Sequence, residues 1–384
     1  MREVLDELVA EWKEGKSTAV GTVVSTYRSA PRPAGASMLV TSDERAVGSV
    51  SGGCVEGAVF ELGQQVLAED TPVLQRYGVS DDDAFTVGLT CGGIIDVFVE
   101  KVDPVHFPEL DEVAASVAKK EAVAVVTVVA HPDPERVGLR MVVWPDRHSG
   151  SLGSAQADEA ILEDVRGALA AGKTVTLHYG PEGERRGEGM NVFVNSMQPP
   201  PRMLVFGAID FAAAMARMGV LLGYHVTVCD ARPVFATKSR FPDAHEVVVN
   251  WPHRYLKEEA DAGRIDQRTV ITVLTHDPKF DVPVLVEALK MDLAYLGAMG
   301  SRKTHKNRED RLREAGVSDD DLKKIASPIG LDLGARTPEE TAVSIAAEVI
   351  SLRWGGGATQ TRLADAEGPI HGANPIAEPE PVKA

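Results

Sequence analysis

Two short stretches hold the residue types best suited to chemistry. One reads Gly48-Ser49-Val50-Ser51-Gly52-Gly53-Cys54-Val55-Glu56; the other reads Gly88-Leu89-Thr90-Cys91-Gly92-Gly93. Each sets one cysteine in a glycine- and hydroxyl-rich turn, and these are two of the three cysteines in the chain. Glycine admits positive φ and close backbone approach, and the amides of such a turn form an anion-binding concavity. A thiolate there serves as a soft metal ligand or as a nucleophile. The competing reading is two small, buried, inert cysteines; their Gly/Ser/Thr settings weigh against it. Cys229 lies inside an apolar run and reads as core. No C-x-x-C and no Cys or His at ligand spacing flanks either loop, which argues against zinc. A Cys–His nucleophile pair needs a histidine that the sequence does not place. Glu56 is either a general acid/base or a first-turn acid of the helix that follows.

The elements around these loops follow from periodicity. Val4, Leu5, Leu8, Val9 and Trp12 sit at helical spacing. Strands are expected over 19–26 and 37–41, separated by a Pro/Gly loop. The first cysteine loop opens a helix over 55–68. Gly52, Gly53 and Cys54 thus fall at a helix N-terminus, which favours negative charge and lowers the pKa of a cysteine. The second loop leads into a strand over 94–100. Helices over 111–119 and 157–171 and strands over 122–129, 140–144, 175–178 and 191–194 complete this half. Without regular alternation it reads as α+β. No internal repeat of fixed period is visible.

Pro199-Pro200-Pro201 reads as a stiff linker. After it, strands and helices alternate over some 150 residues, the pattern of a doubly wound parallel sheet. The fold class is therefore α/β, with an N-terminal α+β domain over 1–198 and a Rossmann-like domain over 202–353. A tail over 354–384, rich in Gly, Ala, Pro and Glu, is expected to be disordered.

The first turn of the second domain, Gly207-Ala208-Ile209-Asp210-Phe211-Ala212, stands where a dinucleotide fingerprint would. Gly207, Ala208 and Ala212 fit it, and Asp230 ends the next strand, where an acid would bind ribose hydroxyls. Ile209 replaces the glycine that lets a pyrophosphate approach, and Asp210 adds negative charge. NAD(P) binding is disfavoured on both counts, so an NAD(P)-linked oxidoreductase is the alternative reading.

The formal charge of −17 argues against non-specific nucleic-acid binding. No apolar run approaches the ~20 residues of a membrane span, and the charged start of the chain is unlike a signal peptide. So few cysteines make no disulfide framework, and a reducing cytoplasm is the expected location. A homodimer is the default from the commonness of two-fold oligomers.

The two cysteine loops resemble the signatures of the XdhC/CoxI family, accessory proteins of xanthine dehydrogenase and carbon monoxide dehydrogenase. Pro31-Arg32 with Gly35 and Met38, Thr275-His276-Asp277 with Asp281, Gly300-Ser301-Arg302-Lys303-Thr304, and Ser327-Pro328-Ile329-Gly330-Leu331 with Thr337-Pro338-Glu339-Glu340 resemble it too. The resemblance covers residues 1–352. It implies a maturation chaperone that binds molybdenum cofactor and helps its sulfurated form reach a molybdenum hydroxylase apo-enzyme. A cysteine desulfurase is a further partner it implies. Ser51, Gly52, Gly53, Cys54, Glu56, Thr90, Cys91, Gly92 and Gly93 are then the cofactor-binding candidates. Cys54 is the candidate ligand to molybdenum. The family's fuller Gly-Ala-Gly-His fingerprint is absent at Ile209 and Asp210.

Overall fold

The computed structural model describes residues 1–78 and 92–354. Thr90, Cys91 and the tail beyond Trp354 lie outside the described residues. The chain forms two compact units, one over Met1–Pro199 and one beginning at Pro200.

The first unit runs α1 (Leu5–Lys13), β1 (Thr18–Tyr27), β2 (Ser37–Thr41), β3 (Ala46–Gly48), α2 (Glu56–Glu69), β4 (Val73–Tyr77) and β5 (Ile94–Val102). It continues with α3 (Leu110–Ala118), β6 (Val123–Ala130), β7 (Arg140–Val143), β8 (His148–Gly150), α4 (Ala155–Ala170), β9 (Val175–Tyr179) and β10 (Met190–Met197). The order α-β-β-β-α-β-β thus occurs twice. Both halves make a five-stranded antiparallel sheet, β3-β2-β1-β5-β4 and β8-β7-β6-β10-β9. The register agrees as well. Thr22 faces Phe98 across β1 and β5, and Thr127 faces Phe193 across β6 and β10. Each long pair breaks register two positions further on, at Val24 in one and Val129 in the other. Val24, Phe98, Val129 and Phe193 then share one buried cluster.

The first unit is therefore an internal repeat, contrary to the sequence reading. The reason is plain in the loops: their lengths differ between the halves, so matching residues are separated by a changing number of positions and no fixed period survives. The short edge strands β3, β4 and β8 also escape a periodicity argument. Leu74, Gln75 and Arg76 of β4 are all exposed, so that strand has no inward-outward alternation to read.

The second unit alternates β11 (Arg202–Phe206), α5 (Asp210–Leu221), β12 (His225–Asp230), β13 (Glu246–Val249), α6 (Pro252–Asp261), β14 (Val270–Val273), α7 (Pro278–Ala288), β15 (Tyr295–Ala298), α8 (Arg302–Glu314), α9 (Asp319–Leu322) and α10 (Pro338–Trp354). Its sheet is parallel in the order β13-β12-β11-β14-β15. Strands such as β14 are buried at every position, as a sheet covered on both faces requires. Apolar clusters lie on its two sides, Met203, Val205, Met215 and Ile345 in one and Leu204, Phe206, Leu256 and Leu285 in the other. The expected Rossmann-like architecture is present.

Candidate functional site

The loop 48–56 joins β3 to α2, and its shape is set from both ends. Gly48 has φ +85°, and a Cβ there would lie 2.5 Å from the Ser37 carbonyl oxygen. Only glycine fits that approach. Val50 and Val55 are buried and anchor the loop on the cluster that holds Val59, Tyr77 and Ile95. Gly52 and Gly53 also have positive φ, but a Cβ on either would meet nothing within 4 Å. Among the described residues, nothing covers that side of the loop.

The amides of this loop converge on one carboxylate of the chain itself. Glu56 Oε1 accepts from Ser49 Oγ (2.5 Å), Val50 N (3.2 Å), Ser51 N (2.9 Å) and Gly52 N (3.0 Å). Glu56 Oε2 accepts from Ser51 Oγ (2.6 Å), Gly53 N (2.8 Å) and Val55 N (3.2 Å). Partial burial would raise the Glu56 carboxyl, but the hydrogen bonds of Ser49, Ser51 and the loop amides outweigh it and bring the pKa down to about 2. Glu56 is therefore ionised at neutral pH, a first-turn acid rather than a proton donor. The concavity read from the sequence as an anion site exists, and the chain fills it.

Cys54 lies two residues before α2 starts, half-buried against the same cluster. Its amide donates to Ser51 Oγ at 2.9 Å. Ser51 is buried and also accepts from Val55 N at 3.0 Å, so it holds the thiol-bearing turn to the helix entrance.

Of the second cysteine loop, Gly92 and Gly93 are described. A Cβ on Gly93 would lie 2.7 Å from Ala30 Cα, so the strand entrance lies flat on the 29–30 backbone. Ile94 pairs with Tyr27 there, at the far end of β1. Helix α2 begins toward that same end, since Val59 packs on Gly21 and the later Gly63 packs near Ala19. The described parts of both loops thus share one end of the first sheet.

The second repeat carries a counterpart that sequence reasoning missed. The stretch 150–158 runs from the end of β8 through the first turn of α4 and reads Gly150-Ser151-Leu152-Gly153-Ser154-Ala155-Gln156-Ala157-Asp158. Gly150 has φ +81°, and its Cβ would lie 2.4 Å from the Arg140 carbonyl oxygen. Ser151 N donates to that oxygen at 3.0 Å, as Ser49 N does to the Ser37 oxygen at 3.1 Å. Asp158 accepts from Ser151 Oγ and Leu152 N, both at 2.7 Å. Counted from the glycine, Gln156 has the number of Cys54, but it is exposed and already inside α4, whereas Cys54 is half-buried and precedes α2. The signal was a Gly-Ser-aliphatic triplet followed by an acid at equal spacing in both loops.

The glycine turn of the second unit is likewise satisfied from within. Gly207 has φ +112°, and a Cβ there would lie 3.0 Å from Thr275 N and Cγ2. Thr275 therefore lies close against the turn beside the switch point between β11 and β14, where such sheets take ligands. Asp230 is buried, and its Oδ2 accepts from Ala208 N and from Arg232, both at 2.8 Å. Burial raises its carboxyl, but Arg232 and the Ala208 amide outweigh this and lower it. Ile209 precedes α5 in extended conformation and packs on the core beside Ala212. Asp210 is exposed and pairs with Arg240 at 3.3 Å. Cys229 is buried, its thiol pushed up to about 12 by desolvation and by the neighbouring Asp230 charge; it is core.

Among the described residues no helix is long and apolar enough to cross a membrane, and no group of three or more His, Cys, Asp or Glu is placed to hold a metal ion.

Comparison with known proteins places both units. A model described as the XdhC Rossmann domain matches residues 203–349, and one described as the XdhC and CoxI family matches 11–78 and 116–180. The chain is 29% identical over 354 residues to a probable xanthine dehydrogenase subunit of Bacillus subtilis (strain 168), covering 91% of this chain and 96% of the relative. It is 27% identical over 361 residues to the molybdenum cofactor insertion chaperone PaoD of Escherichia coli (strain K12), covering 92% and 88%. The crystal structure of a xanthine dehydrogenase from Bacillus halodurans superposes with a TM-score of 0.67 at 26% identity, over 91% of this chain and 95% of that one. With matches in both units and in order along the chain, this protein belongs to the XdhC and CoxI family.

Proposed function

We propose that this chain is an accessory factor that binds molybdenum cofactor at the Cys54 loop and assists its insertion into a molybdenum hydroxylase such as xanthine dehydrogenase. Likeness over nine-tenths of the chain to a protein named as a molybdenum cofactor insertion chaperone supports the accessory role. The observation that carries the binding site is the half-buried Cys54 side chain, set in a hydrogen-bonded turn where a Cβ on Gly52 or Gly53 would meet nothing within 4 Å among the described residues.

The donor set fits the group in part. A thiol is a soft ligand suited to a thiophilic metal. Among the described residues no ligand cluster surrounds this thiol, which suits a metal that arrives with its own ligands. Bound there, the cofactor would supply a molybdenum centre already held by its dithiolene. Cys54 would contact the metal, and the Gly52–Gly53 backbone would leave room for it. The phosphate of the cofactor is left to other groups, since the loop amides are committed to Glu56. Cys91 is the candidate second thiol. Delivery to the apo-enzyme, a cysteine desulfurase as sulfur source, a homodimeric state and a cytoplasmic location are parts of the same proposal.

No observation favours the oxidoreductase alternative. The turn at Gly207 abuts Thr275, and Asp230 is engaged by Ala208 and Arg232. Reconstitution of an apo-hydroxylase with molybdenum cofactor tests the function. Wild-type protein is expected to raise the active fraction and Cys54→Ser to abolish the gain. An equal gain with Cys54→Ser would remove the thiol from the account.

A further inference from the structure

We infer that Glu56 is a positioning residue: its carboxylate is a built-in anion that shapes the 48–56 loop and so fixes the Cys54 thiol, without touching the ligand. The inference rests on Cys54 being the contacting thiol, as proposed above. Two independent observations carry it.

The first is saturation. Seven donors, five amides and two hydroxyls, point at the Glu56 carboxylate. A carboxylate offers about four lone-pair sites, so none is left for a ligand. All seven donors come from the loop that carries Cys54, between Ser49 and Val55. The Cys54 amide is tied into the same set through Ser51 Oγ, which donates to Glu56 and accepts from Cys54 N.

The second is the repeat. Asp158 bonds the Ser151 hydroxyl and the Leu152 amide as Glu56 bonds Ser49 and Val50. The stretch that Asp158 ties carries no cysteine. A device present with and without the thiol belongs to the loop's geometry, not to the ligand's chemistry. What distinguishes the first loop is the cysteine placed on that frame and the more complete capture of its amides.

The test reads the thiol itself and needs no cofactor. Full-length protein is alkylated with iodoacetamide, and modification of the Cys54 and Cys229 peptides is followed by mass spectrometry. Losing charge-assisted hydrogen bonds should open the loop, raising Cys54 alkylation about tenfold or more in Glu56→Ala. Formate should fill the vacated cradle and reverse most of the rise, while chloride at equal ionic strength should not. Glu56→Gln, which keeps the shape but turns one acceptor into a donor, should respond in the same direction. It also carries the test if the alanine variant does not fold. Cys229, buried in the second unit, reports unfolding that reaches both units, and far-ultraviolet circular dichroism of each variant reports loss of the first. Unchanged Cys54 alkylation in both variants would overturn the inference. So would a rise matched by Cys229, or reversed equally by chloride. If Cys54→Ser left cofactor delivery intact, the proposed function would fall while these alkylation results would stand.

Discussion

Loops 48–56 and 150–158 are two versions of one structure. Each leaves an edge strand through a positive-φ glycine pressed on a neighbouring carbonyl, buries an aliphatic residue, and ties a serine to an acid in the helix that follows. They differ in one chemically decisive residue: the first carries Cys54, and the second carries no cysteine. They differ also in how much of the loop the acid captures. The comparison separates scaffold from function: what both loops keep builds the turn, and what only the first has is left to act. The glycine turn of the second unit gives a third case. There Asp230 takes the Ala208 amide and pairs with Arg232, while Thr275 packs against the Gly207 turn, so the first amide of a nucleotide-type frame and its acid are engaged from within.

The comparison can be broken most forcefully at its glycines. Gly48→Ala and Gly150→Ala each drive a Cβ to about 2.5 Å from a backbone oxygen at positive φ. Each should destabilise the protein by about 3 kcal/mol or more in urea unfolding, and the two costs should be similar. Ready tolerance of Gly150→Ala would break the equivalence of the repeats. A smaller effect sharpens it. Glu56 has its carboxyl lowered from 4.5 to about 2, so its ionised form is the one the fold binds. Its contribution is complete above about pH 4.5 and is lost as the pH falls through about 2. Glu56→Gln should remove that acid-sensitive part of the stability curve while lowering stability at neutral pH. A variant with the wild-type acid profile would show that the hydrogen bonds are not held in solution.

Much of the fold is legible in the sequence. Alternation after Pro201 points to the parallel sheet, because buried parallel strands are unbroken apolar runs such as those of β11 and β14. The reactive turn is legible from its glycines and its thiol. The occupation of its amides is not, since a capping acid and a ligand-binding acid look alike in sequence. The repeat is hidden because the loops differ in length, so equivalent residues share register and burial but no fixed spacing along the chain. Thr22 with Phe98 and Thr127 with Phe193 are equivalent only once the strands are paired. The likeness between the two cysteine loops is one of composition; the structural counterpart of the first loop is the one ending at Asp158.

The central claim is that Cys54, and not the frame around it, makes the first loop a cofactor site. Equilibrium binding of molybdenum cofactor to wild type, Cys54→Ser and Gln156→Ala tests it most directly. The account predicts that binding is lost or weakened at least about tenfold in Cys54→Ser, about the worth of one good ligand contact, and is unchanged in Gln156→Ala. Equal binding by wild type and Cys54→Ser would contradict it.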